Sequence, residues 1–180
     1  MTEPGFWWKN RWGLLALLPV TALLAIVSLY RTDFYDQYLG GQPRAGVSAA
    51  PPEWVAYSGA RLRLIALTST ADIYDASGKT VKLPTGVVAW KAAIEIQVDD
   101  QRKLTECEIS LEDSAGRLFG TQPDELATAR TPTPTCTAED QALNSYQVLV
   151  FFVAPATAKP VAVRVVRGPA LPGYARLVAA

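Results

Sequence analysis

Hydrophobic positions along the 180-residue chain fall into two regimes. The first is one continuous block. Gly13 to Tyr30, GLLALLPVTALLAIVSLY, holds eighteen residues without a charge, interrupted only by Pro19, Thr21 and Ser28. As a helix rising about 1.5 Å per residue it spans roughly 27 Å, close to the hydrocarbon thickness of a bilayer. Aromatic residues gather at both ends, with Phe6, Trp7, Trp8 and Trp12 before it and Tyr30, Phe34, Tyr35 and Tyr38 after it. Such belts sit at membrane–water interfaces. Trp7, Trp8, Trp12, Tyr30 and Tyr35 are the candidate interface anchors. Pro19 removes one backbone donor and is the expected site of a kink.

The second regime is short and alternating, the period of half-buried strands. Arg61 to Leu67 starts with strict alternation. Asp72 to Tyr74 and Thr80 to Leu83 flank the turn Asp75–Lys79. Val87 to Val98 is the longest strand candidate: Trp90, Ala92, Ile94, Ile96 and Val98 share one face, and Glu95, Gln97 and Asp99 share the other. In Leu104 to Leu111, Cys107, Ile109 and Leu111 share the inward parity, with Glu106 and Glu108 opposite. Tyr146 to Val153 is apolar on both parities except at Gln147, which predicts a central strand. Val161 to Val166 and Tyr174 to Ala179 follow. Turn residues separate these runs at Pro84–Gly86, Asp113–Arg117, Gly168-Pro169 and Pro172-Gly173.

Two stretches carry neither pattern. Gly40-Gly41, Pro43, Gly46 and Pro51-Pro52 argue against a long regular element in residues 31–52, which read as a tether. Thr121 to Asn144 is an irregular insert. Its Thr131-Pro132-Thr133-Pro134-Thr135 segment fits neither a helix interior nor a central strand. That segment is a candidate interaction loop, or alternatively a structural crossover between sheets. The expected organisation is a head over 1–12, a transmembrane helix over 13–30, a tether over 31–52 and an antiparallel β-sandwich over 53–180.

The reading of the apolar block as a permanent span has two competitors. A cleaved signal sequence has a shorter apolar region and a small-residue cleavage site, and Ser28-Leu29-Tyr30 is a poor match. A buried helix of a soluble domain is the other. A permanent single-pass span fits best. Lys9 and Arg11 precede it, and Arg31 and Arg44 follow. The basic count favours an inside N-terminus, placing the β-domain outside the cytoplasm in the cell membrane.

Composition narrows the chemistry. Lys plus Arg and Asp plus Glu are 17 each, so no basic field favours nucleic acid as a partner. The chain has no His, which removes His-based zinc sites, His general bases and Ser-His-Asp arrangements. No cofactor is expected. Glu125, Glu139 and Asp140 do not have the spacing of a calcium loop. Cys107 and Cys136 are the two cysteines; one disulfide is expected outside the cytoplasm, and two buried thiols under the inverse topology. Asp72 with Asp75, and Glu106 with Glu108, are the carboxylate pairs a hydrolase would require. Trp54, Tyr57 and Trp90 are the rings a carbohydrate-binding or sensor domain would use.

FWWKNRWGLLALLP at residues 6–19 and YQVLVFFVAPATAKPVAVRVV at residues 146–166 resemble a group of uncharacterised actinobacterial membrane-anchored proteins. These have one span and an extracytoplasmic immunoglobulin-like β-domain. The second segment, through Val153-Ala154-Pro155, is also similar to DUF4352-type immunoglobulin-like domains. The resemblance implies an immunoglobulin-like sandwich outside the cytoplasm and supplies no catalytic residues. The leading functional expectation is a membrane-anchored module that binds a membrane or cell-envelope protein, as an accessory subunit of a larger complex. A carbohydrate-binding or sensor domain is the alternative, followed by a surface hydrolase.

Overall fold

In a computed structural model, residues 10–30, 41–49 and 51–179 are described. The chain divides into two compact units, Met1–Gln42 and Pro43–Ala180. The first contains helix α1, Arg11–Tyr30, with Pro19 inside it. Leu15, Leu17, Leu18, Val20, Leu23 and Leu24 are each more than half exposed, so α1 is apolar on every side. The hydroxyl of Thr21 donates back to the Leu17 carbonyl at 2.9 Å, which removes a polar group from that surface. By length and composition α1 can cross a membrane. Trp12 is exposed on its first turn. Trp7, Trp8 and Tyr35 lie outside the described residues, as does the side chain of Tyr30.

The second unit is two stacked sheets. Its strands are β1 (Ala45–Ala49), β2 (Val55–Tyr57), β3 (Ala60–Thr70), β4 (Val87–Val98), β5 (Cys107–Asp113), β6 (Leu118–Gly120), β7 (Ser145–Pro155), β8 (Pro160–Arg167) and β9 (Gly173–Val178). One sheet has the order β1-β9-β8-β5-β6 and the other β2-β3-β4-β7. All pairings are antiparallel except β1 with β9, which is parallel. Leu62, Ile94, Ile96, Phe152, Leu111, Val163 and Leu177 meet between the sheets in the main core. Alternation dictates this: β4 has the expected bounds, and its even-numbered residues Ala92, Ile94, Ile96 and Val98 are buried. The β2–β3 hairpin turns at Ser58 and Gly59, both with positive φ, the conformation a two-residue turn needs.

Three expectations change. First, β1 lies inside the stretch read as a tether, and the compact unit begins at Pro43. β1 gains its backbone partners from β9, a contact that local propensity cannot report. Secondly, β7 is an edge strand rather than a central one. Its outward residues are apolar because Val153 and Phe151 join a second, smaller core with Ile73, Ala89 and Leu126 on the outside of the β4–β7 sheet. Thirdly, Leu104 belongs to a 3-10 turn, Gln101–Leu104, and the Asp72–Tyr74 and Thr80–Leu83 runs reduce to one bridge between Tyr74 and Thr80.

Candidate interaction site

The insert between β6 and β7 passes from one sheet to the other, and three buried contacts fix its second half. Cys136 is fully buried and disulfide-bonded to Cys107 at the start of β5, with the two Cα atoms 6.1 Å apart. Tyr146, the second residue of β7, donates its hydroxyl to the Cys136 carbonyl at 2.8 Å. Burial pushes that phenol up to about 12. Gln101 is 2% exposed and clamps the descending arm. Its Nε2 donates to the carbonyls of Asp140 and Leu143, both at 2.9 Å, and its Oε1 accepts from the Ala138 amide at 2.7 Å. Pinning of this kind gives an irregular segment one shape, which Thr-Pro alternation alone cannot do.

The pinned loop stands beside the free edge of β7. Val98 donates its amide to the Asn144 carbonyl at 2.9 Å, and Ala156 donates to Gly86 at 2.8 Å. In the β4–β7 register Ile96 faces Tyr146 and Ile94 faces Val148, so the even-numbered residues of β7 exchange hydrogen bonds with β4. The backbone groups of Ser145, Gln147 and Leu149 therefore point away from the sheet. Among the described residues nothing bonds to the outward groups of Gln147 and Leu149. The farther end of the strand is covered, where Thr121 bridges to Phe152. A cleft of about 730 Å³ lies between this edge and Thr133, Thr135 and Thr137, and Glu139, Asp140 and Leu143 also line it. The candidate residues Pro132, Thr133 and Thr135 line it. Thr131 and Pro134 instead line a smaller cavity of about 250 Å³ on the Phe151 side, which also includes Pro132.

The fold is a two-sheet β-sandwich. No protein-family model matches the chain, and no curated protein matches it. Among solved structures, the chain is similar to an uncharacterized β-sandwich protein from Clostridium difficile 630. The two share 11% identity over 74% of this chain and 95% of that one, with a TM-score of 0.44.

The remaining sequence candidates in this sandwich do not converge. Asp75 accepts from the Ser77 hydroxyl at 2.6 Å and from the Ser77 and Lys79 amides; these bonds, the hydroxyl's first, hold its carboxyl below the ordinary value. Asp72 is exposed. Glu106 and Glu108 are both exposed. Tyr57 is buried, and its hydroxyl accepts from the Arg167 amide and donates to the Gly173 carbonyl. Burial raises that phenol against the opposing pull of Arg167. Trp90 packs against the main core, with its indole N–H buried and without a partner. Trp54 lies under two guanidinium groups, Arg63 at 4.6 Å and Arg61 at 5.2 Å from its ring centre.

Alternation misses two buried carboxylates. Glu112 accepts from Arg164 Nε at 2.7 Å, and from Arg176 Nε at 2.9 Å and Nη2 at 3.1 Å. Burial opposes its ionisation, and the two guanidinium groups outweigh burial, so its pKa is lowered. Arg164 also stacks on Tyr174 at 4.8 Å. Asp113 is similarly lowered: burial opposes the charge, while Arg117 and the turn amides of Ala115 and Arg117 favour it. Both carboxylates are saturated by structural partners.

Proposed function

We propose that the protein is a membrane-anchored extracytoplasmic interaction module that binds a membrane or cell-envelope protein through the cleft between the 131–137 loop and β7. α1 inserts in the bilayer with the N-terminus in the cytoplasm and holds the sandwich outside. The apolar span, Lys9 and Arg11 before it, and the Cys107–Cys136 disulfide support this topology. The sandwich is immunoglobulin-like in strand order. β4 and β7 correspond to strands B and E; β5, β8 and β9 correspond to C, F and G; β6 takes the C′ position.

The observation that carries the binding reading is the loop itself, held at Cys136, Ala138, Asp140 and Leu143 beside an unpaired strand edge. A loop ordered in advance loses less freedom on association. The carbohydrate or sensor reading lacks comparable support, because Tyr57 and Trp90 are engaged in packing and Trp54 is stacked under Arg61 and Arg63.

Site-directed photocrosslinking in intact membranes tests the proposal. A photoreactive residue at Thr133 of the full chain is expected to capture one repeatable envelope protein that the same group at Thr85 does not. Absence of a product from Thr133, or identical products from both positions, refutes it.

A further inference from the structure

We infer that the cleft takes an extended, basic segment of the partner, which adds to β7 as a fifth strand of the four-stranded sheet. This inference rests on the interaction reading above and names the chemistry of its ligand. In an immunoglobulin-like sandwich of the assigned strand order, strand D covers the outer edge of strand E. Here the chain between β6 and β7 touches that edge only where Thr121 bridges to Phe152 and then runs as the Pro-rich loop, so the edge is open at Gln147 and Leu149.

Several features match strand addition. The outward N–H and C=O groups of Gln147 and Leu149 form a two-residue half-ladder without partners among the described residues. Ser145 to Leu149 spans about 17 Å at strand rise, an ordinary strand length. Exposed edges in natural proteins commonly carry Lys, Pro or a bulge that prevents pairing. Ser145 to Val153 has no charged residue, no Pro and an unbroken register with β4. Leu149 is 38% exposed and Leu143 is 43% exposed, which offers apolar contact on either side of Gln147.

Charge selects the ligand. Glu139 and Asp140 are among the residues that line the cleft, and no Lys or Arg lines it. A Lys- or Arg-bearing segment complements those carboxylates. A second copy of the chain paired through β7 brings the same acidic wall against its counterpart. The loop also makes the edge a cleft, which favours a single strand over the side of another sandwich.

The test uses the full-length protein in detergent micelles and fluorescein-labelled peptides of sequence Lys-Val-Thr-Val-Thr-Val-Thr-Val-Lys. Anisotropy is expected to report binding that weakens with salt and is lost when Glu replaces both terminal lysines. N-methylation of alternate peptide amides on the pairing parity is expected to weaken binding about tenfold or more, whereas the opposite parity leaves it nearly unchanged. Gln147→Pro removes an N–H that faces away from β4, so the sheet is retained while strand addition is blocked. Leu149→Lys guards the edge by a different route, and hydrogen exchange of unmodified protein should show Gln147 and Leu149 amides protected only with peptide present. Equal effects of both N-methyl parities, or no peptide binding, overturn the inference. A homodimer abolished by Gln147→Pro also overturns it, by making a second copy the occupant. If Thr133 captures the same membrane protein in unmodified and Gln147→Pro chains, strand addition falls and the interaction module stands. If neither chain captures one, the module reading itself falls.

Discussion

Gln101→Leu isolates the clamp that shapes the cleft. The substitution preserves an approximate side-chain volume and removes three hydrogen bonds, to Ala138, Asp140 and Leu143. At roughly 1 kcal/mol net per bond, the gross loss is about 3 kcal/mol. Asp140 and Leu143 are exposed, so water replaces part of what their carbonyls lose. The Ala138 amide is half-buried and Gln101 is 2% exposed, so recovery there is smaller. The expected net cost is about 2 kcal/mol, equivalent to roughly an 8 °C fall in melting temperature for a domain of this size. Urea unfolding of the full chain in micelles, followed by tryptophan fluorescence, measures it. Hydrogen exchange should accelerate at residues 138–143 before it does in β4. Gln101→Glu gives a sharper signature. It retains an acceptor for Ala138 and sets a carboxylate against two carbonyls, which raises its folded-state pKa. Its deficit should therefore shrink below the ordinary carboxyl range and return as pH rises through the folded value. A loss under about 0.5 kcal/mol for Gln101→Leu, with unchanged exchange at 138–143, refutes the clamp.

Two further outcomes follow from the same packing. Reducing Cys107–Cys136, which spans 29 residues, should cost about 3–4 kcal/mol on the chain-entropy estimate, read as a lower urea midpoint in reductant. An unchanged midpoint under verified reduction argues against it. Glu112→Gln should cost about 2 kcal/mol at neutral pH by leaving Arg164 and Arg176 poorly paired. Because Glu112 titrates below its ordinary 4.5, its ionised form stabilises the fold above that value, and the contribution is lost as pH falls through the folded pKa. The variant should thus show a shallower loss of stability below pH 4.5 than the unmodified chain; parallel acid curves contradict the assignment.

Residues whose environment is set locally were legible in the sequence. Alternation located β4 and its buried face, Asp75 and Asp113 marked tight turns, and the cysteine pair identified the bridge. β7 shows where the pattern misleads. Two apolar faces report that both faces are covered, which the main core and the Ile73–Leu126 cluster achieve; they say nothing about whether both edges are paired. β1 has the opposite problem. Ala-Gly-Val-Ser-Ala has weak strand character, and a side chain at Gly46 would place Cβ 2.7 Å from the Tyr174 ring. The strand exists because β9 offers a ladder and a ring that only glycine can approach. The role of Glu112 is invisible to alternation because its counter-charges come from β8 and β9, more than fifty residues downstream. The Gln101 clamp has no periodic signature, because a glutamine after an acidic turn is ordinary at the surface.

The parallel pairing of β1 and β9 also has a mechanical consequence. The chain enters the sandwich at Pro43, so tension arriving from α1 meets β1 first. Ala45 to Ala49 run alongside Gly173 to Leu177 over five paired positions. A pull along the strand axis loads those hydrogen bonds together in shear instead of opening them one at a time. The N-terminal strand thereby acts as a latch, letting the domain stay folded when the chain is pulled from its N-terminal side.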